Sequence, residues 1–212
     1  MQGVKFNDFH SYDDFSLILG SKEIEAPSAK TETIDLPGAD GVLDLSEYFG
    51  EIKYNKRKIT LTFSTIVPRS EFLALFSKIQ NAIHGQKMNI VLDDDPEFYY
   101  VGRVTVDKWK ADKNVGTITV ECDCEPYKYK IYKTVLVATI NGSETLICKN
   151  LRKSVIPKIT LKADAQITFN DGVYSLSAGT YTLSEFVFSA GSNVLTVSGD
   201  TTITIEYQEG GL

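Results

Sequence analysis

Most of this chain alternates apolar and polar residues with a period of two. "KITLTF" (Lys58 to Phe63), "TITVEC" (Thr117 to Cys122), "YTLSEFVF" (Tyr181 to Phe188) and "TITIEY" (Thr202 to Tyr207) are the clearest runs. Successive side chains of a strand point to opposite faces, so such runs predict half-buried strands. Their enrichment in Thr, Ile, Val, Tyr and Phe agrees. Asn141-Gly142 and Asp171-Gly172 predict two-residue hairpin turns, in which both central residues take positive φ. Antiparallel sheets packed as sandwiches are the expected result.

One segment changes period. Between Pro68 and Gly85, Phe72, Phe76, Ile79 and Ile83 fall at helical spacing and form one apolar stripe, which Leu73 and Leu75 widen. The spacing predicts a single helix over about 70–84, packed on a sheet. Ser70 is its expected N-cap, Glu71 suits its first turn, and Gly85 is its expected left-handed C′ residue. His84, in the last turn, is expected to cap the free carbonyls. The stripe reads as core, not as a cofactor slot. Near Pro126 to Lys133 the character changes again: beyond it the chain is Thr, Ser, Val and Gly in short runs with no helical period. This predicts an N-terminal domain over 1–130 and a small C-terminal all-β sandwich over 131–212.

Composition narrows the chemistry. The 212 residues are 42% hydrophobic and 24% charged, ordinary for a globular protein, with a net charge of −6. That sign disfavours general nucleic-acid binding. The ladder "YKYKIYK" (Tyr127 to Lys133) could stack single strands, but in a strand it also reads as one face to the core and one to water. No signal peptide and no membrane-length apolar run are evident, so folding in a cytoplasm is expected. Cys122 and Cys124 lack CxxC spacing and Cys148 has no evident mate, so all three read as reduced, buried side chains. The two histidines, His10 and His84, stand in no ligand motif, and GxSxG, Walker A and GxGxxG are absent. No catalytic, cofactor-binding or metal-binding residue is assigned, and the chain is not expected to be an enzyme.

The densest carboxylate cluster, Asp93-Asp94-Asp95, lies between "KMNIVL" and "FYYVGRVTV" and is followed by Pro96. Asp and Pro are turn formers, so these acids are expected at an exposed hairpin tip. A catalytic pair needs a desolvated or partnered acid, which a tip does not supply. Calcium remains the alternative, although the EF-hand spacing is missing.

Several motifs then fall in a recognisable order: "VKFNDFHSYDDFSLIL" (Val4 to Leu19), "IDLPGADGVLDLSEYFG" (Ile34 to Gly50), "KRKITLTF" (Lys56 to Phe63) and "IHGQKMNIVLDDDPEFYYVGRV" (Ile83 to Val104). Over roughly its first 130 residues the chain resembles the distal tail protein (Dit) family of long-tailed phages and prophages of Gram-positive bacteria. The resemblance implies a mainly β protein: an N-terminal β-sandwich with one packed helix and a protruding hairpin arm, then a smaller C-terminal sandwich. It implies a virion structural protein, assembled in the host cytoplasm, whose N-terminal domain forms a hexameric ring at the tail end. Its implied partners are other copies of itself, the tail tube protein, a tail-tip or tail-associated lysin protein, and the tape measure protein, with no membrane. DNA would pass through the ring unbound, and the acidic composition suggests a neutral or acidic channel lining.

The arm would span about Pro37 to Lys56 in the resemblance, and its residues read likewise by themselves. Pro37, Gly38, Asp40 and Gly41 supply turns, while Leu43, Leu45, Tyr48, Phe49 and Tyr54 supply apolar surface. A two-stranded hairpin alone buries too little to be stable, so docking on a neighbour would complete it. The alternative is an ordinary surface loop. A second function is carbohydrate binding through the C-terminal domain, with Tyr174, Tyr181, Phe186, Phe188 and Tyr207 as platform candidates. Their period-two positions suit core packing as well.

Overall fold

In the computed structural model, residues 3–38, 40–48, 50–65, 67–112 and 115–212 are described, Asp112 by its backbone alone. The chain divides into two units, Met1–Pro126 and Tyr127–Leu212.

The first unit opens with β1 (Val4–Phe6), β2 (Phe9–His10) and β3 (Ile18–Ile24). Then come the short β4 (Thr33–Asp35) and β5 (Val42–Asp44), and the long β6 (Arg57–Thr65). A 3-10 turn (Arg69–Glu71) leads into α1 (Phe72–Ile83), followed by β7 (Lys87–Leu92), β8 (Phe98–Asp112) and β9 (Val115–Lys130). The main sheet has the order β2-β1-β7-β8-β9-β6-β3. In β6, Arg57, Ile59, Leu61, Phe63 and Thr65 point inward while the intervening residues do not. β9 repeats the pattern with Ile118, Val120, Cys122 and Cys124. With Ile79 and Ile83 of the helix, and Phe15 and Leu17 of the loop before β3, these side chains form one core. Each fully buried Ile, Leu or Phe contributes about 1.5–3 kcal/mol. Gly102 of β8 is dictated by that packing, since a Cβ there would lie 2.5 Å from the Cys124 sulfur.

The helix follows its stripe with three departures from expectation. Phe72, Ile79 and Ile83 are buried and Gly85 takes φ +76°, as a C′ glycine should. Leu73, by contrast, is 71% exposed. One residue past Phe72 is a rotation of about 100°, which carries it off the buried face. Ser70 makes no cap, because it lies inside the 3-10 turn and Glu71 precedes the helix without a side-chain cap bond. Nor does His84 cap the last carbonyls. Its Nδ1 accepts a hydrogen bond from the Val106 amide at 3.0 Å, tying the helix end to β8.

The second unit contains β10 (Thr134–Ile140), β11 (Ser143–Asn150), β12 (Lys158–Leu161), β13 (Ala165–Phe169) and β14 (Gly172–Leu176). It continues with β15 (Gly179–Tyr181), β16 (Gly191–Ser198), β17 (Thr201–Tyr207) and β18 (Gly210–Gly211). Two sheets, β10-β17-β12-β15 and β11-β16-β13-β14, enclose the core. The two turn motifs behave differently from expectation. Asn141-Gly142 is no hairpin: β10 pairs with β17 and β11 with β16, so the turn is a corner between sheets. Gly142 has φ +82° and Asn141 does not join it in the positive region. The Asp171 hairpin exists but turns one residue earlier, at Asn170-Asp171, with Asn170 at φ +52° and Phe169 opposite Gly172. The run from Tyr181 to Phe188 is strand only up to Tyr181, although Phe186 and Phe188 still point inward.

Candidate functional site: a projecting arm

Between β3 and β6 the chain leaves the sheet and returns. The two strands pair from Ile18↔Ser64 to Ile24↔Ile59. The ladder then continues outward: Glu25 N–H donates to Lys58 O (3.0 Å), Asn55 to Ser28 O (2.8 Å), Lys30 to Lys53 O (2.8 Å) and Leu45 to Glu32 O (2.8 Å). Ala29 bridges Tyr54 on the way. β4 and β5 complete it in the register Thr33↔Asp44, Ile34↔Leu43 and Asp35↔Val42. The result is a ribbon from Glu25 to Lys56, longer than the Pro37–Lys56 stretch expected from the sequence. Its ascending half was not legible because "EAPSAKTE" is polar and does not alternate.

Gly38 (φ +86°) and Gly41 (φ +80°) form the tip with the exposed Pro37 and Asp40, and positive φ is what glycine tolerates there. Below the tip, Ser46 donates its amide N–H and its hydroxyl to the Asp44 carboxylate. These bonds, the hydroxyl first, hold the Asp44 pKa below its ordinary value. The Ser46 hydroxyl in turn accepts from the Glu32 amide at 2.9 Å, which braces the two strands.

The ribbon leaves apolar surface in water. Ile34 and Leu43, cross-strand partners on one face, are 45% and 46% exposed. Val42 is 59% and Tyr48 73% exposed, and Leu36 is exposed beside the tip. Leu45 is half-buried and lines a recess with Lys30, Ser46 and Lys53. Tyr54 is half-buried at the bridge, and Phe49 lies outside the described residues. The structure thus brings Pro37, Gly38, Asp40, Gly41 and Leu43 to the distal end, with Leu45, Tyr48 and Tyr54 further down. Sequence reasoning missed Ile34, Leu36 and Val42. The signal was present in the near-repeat of "TIDL" and "VLDL" on either side of "PGADG".

The other candidates resolve into structural parts. Asp93, Asp94 and Asp95 occupy the turn between β7 and β8. Asp93 accepts from the Gly3 amide at 2.6 Å and stands 3.3 Å from His10 Nε2. Asp94 pairs with Lys22, whose ammonium lowers the Asp94 pKa. Among the described residues, no three His, Cys, Asp or Glu side chains converge on a metal position. Burial pushes the thiols of Cys124 and Cys148 up to about 12 and about 11 and raises Cys122 further, so they stay protonated and unreactive. Of the sugar-platform candidates, Phe186 and Phe188 are fully buried and Tyr207 nearly so. Tyr174 packs against Phe186 in a tilted pair at 4.7 Å, and Tyr181 packs on the same core. Two tyrosines of "YKYKIYK" are engaged within the second unit: the Lys153 ammonium lies 5.9 Å from the Tyr127 ring centroid and 4.5 Å from that of Tyr129, and it donates to the Tyr129 hydroxyl, whereas Tyr132 is 85% exposed.

No family model and no curated protein matches the chain. Among solved structures it is similar to the Dit protein (gp 19.1) of phage SPP1, described as a paradigm of the hub adsorption apparatus in phages that infect Gram-positive bacteria. The two share 14% sequence identity with a TM-score of 0.72, over 98% of this chain and 99% of that one. The chain therefore has the mainly β fold of a phage distal tail hub protein, with an arm carried outside its sheet.

Proposed function

We propose that the chain is a virion structural protein that closes into a hexameric ring and joins the tail tube to the tail tip. The observation that carries this reading is the arm: an apolar-faced ribbon without covering surface in its own unit, on the fold of a tail hub. A two-stranded ribbon buries too little to account for its own exposed Ile34, Leu43 and Val42. A neighbouring copy gives those side chains burial, and the same contact repeated around an axis builds a ring. The N-terminal domain forms the ring, and the C-terminal sandwich is a separate unit. The axial partners are the tail tube protein, a tail-tip or lysin protein and the tape measure protein; assembly takes place in the host cytoplasm.

The charge pattern supports a passage that does not hold DNA. Lys56, Lys58 and Lys87 each pair with a carboxylate on β9: Asp123 (2.6 Å), Glu121 (2.8 Å) and Glu125 (2.8 Å). Paired lysines present little net positive field to a phosphate backbone.

Native mass spectrometry of the purified protein over rising concentration tests the proposal. Closed hexamers are expected, and a variant with residues 28–54 replaced by a short turn should remain folded and monomeric. A wild-type protein that stays monomeric throughout, or an armless variant that assembles equally well, would overturn it.

A further inference from the structure

Arg57, the first residue of β6, points inward in line with Ile59 and Leu61, and it is 6% exposed. Its Nε has no hydrogen-bond partner, and among the described residues no carboxylate pairs with the guanidinium. The guanidinium carbon lies 5.6 Å from the centroid of the Tyr100 ring. The lysines on either side are served: Lys56 has Asp123 and Lys58 has Glu121. Alternation explains the difference. The flanking residues face out, where the carboxylates of β9 are, while Arg57 faces in and lies opposite Cys124. A largely buried guanidinium with an unpartnered Nε and no anion is unfavourable, and one cation–π contact recovers only part of that. Among the described residues, the other buried side-chain polar atom without a partner, Asn150 Oδ1, differs in kind, since it is neutral and its own amide nitrogen is held by the Lys153 and Phe188 carbonyls.

The anion that Arg57 lacks is abundant elsewhere on the same surface system. Between Thr31 and Ile52 the arm carries Glu32, Asp35, Asp40, Asp44, Glu47 and Glu51 and no lysine or arginine. Arg57 stands at the arm's root, where the ribbon rejoins the sheet. The ladder from Glu25 to Ile34 holds the tip roughly 30 Å away at about 3.3 Å per residue. An arm cannot return its own tip to its own root without breaking that ladder.

We infer that Arg57 is a carboxylate site completed by a second copy of this chain: Asp35 and Asp40 at the arm tip of one copy reach the Arg57–Tyr100 position at the arm root of the next. The inference rests on the proposed ring and gives it a polarity. Passed from each copy to the next, a tip-to-root contact is heterologous and closes around a ring; exchanged reciprocally by two copies it would close a two-fold dimer, so the hexamer is what fixes the direction. With Arg57 6% exposed, an incoming carboxylate would meet it at that remaining surface. The bond would form as the apolar face of the arm is covered, which removes water from the ion pair and strengthens it.

The test compares full-length wild type with Arg57→Met, with Asp35→Lys/Asp40→Lys, and with Arg57→Glu combined with the two arm changes. Self-association is followed by light scattering and monomer melting in dilute protein. Arg57→Met should weaken association by about 100-fold or more, and it should raise the monomer Tm by about 2–4 °C because an uncompensated buried cation is gone. The arm variant, altered only at exposed positions, should lose association equally without a change in Tm. The charge-exchanged combination should recover most of it. If Arg57→Met associates like wild type, or if its monomer melts lower as a purely structural arginine would require, the site is wrong while the ring stands. If the arm variant associates like wild type, the occupant is wrong and the inference falls. If wild type never associates, ring and site fall together.

Discussion

The distal strands of the arm and the C-terminal sandwich both pair apolar residues across neighbouring strands, yet they meet opposite fates. In the sandwich, the inward set of β17, Ile203 and Ile205, is fully buried under a second sheet that supplies Leu195, Val197 and Ile167. In the arm, Ile34 and Leu43 hold the equivalent positions on a paired ribbon and remain nearly half exposed. Local periodicity determines which side chains share a face. Whether that face is covered depends on a second layer, and among the described residues none covers Ile34 and Leu43 of the arm. An apolar ribbon without a second layer marks a place where another protein surface supplies it.

Substitutions can sharpen that contrast. Phe188 sits against Phe169 and Tyr207 at ring-centroid distances of 5.7 and 5.3 Å. Phe188→Ala should cost about 3–5 kcal/mol, read as a lower denaturation midpoint, with the arm unaffected. Ile34→Ser with Leu43→Ser should do the reverse. Monomer stability should change by less than about 0.5 kcal/mol, as for exposed positions, while self-association falls by roughly 100-fold, the scale of truncated interface anchors. A monomer destabilised by the arm pair as much as by Phe188→Ala would mean that the ribbon is packed within its own chain after all.

Much of the architecture was legible. β6, β9 and β17 could be read because each inward residue in the pattern is one the fold buries. The helix could be read because Phe72, Ile79 and Ile83 share a stripe. Its first turn could not: Ser70 is a good cap by composition, but the 3-10 turn at Arg69–Glu71 shifts the helix start past it. Asn141-Gly142 misled for a different reason. Turn chemistry reports that the chain reverses, not which strand each arm of the turn will pair with, and here the two pair with different neighbours. At the arm, Pro37 to Gly41 announced the tip, but the polar ascending half from Glu25 gave no period to read. Arg57 was the least legible of all. In "NKRKIT" it looks like one of three surface cations, and only the register of β6 against β9 turns it inward toward Tyr100.

The central claim is that the arm is finished by another copy of the chain. Hydrogen–deuterium exchange of residues 28–54 at low and high protein concentration tests it most directly. The account predicts fast exchange of the arm amides in dilute protein and strong protection once the protein associates, with the sandwich strands protected throughout. Arm amides equally protected at every concentration, or still exchanging freely in the assembled protein, would contradict it.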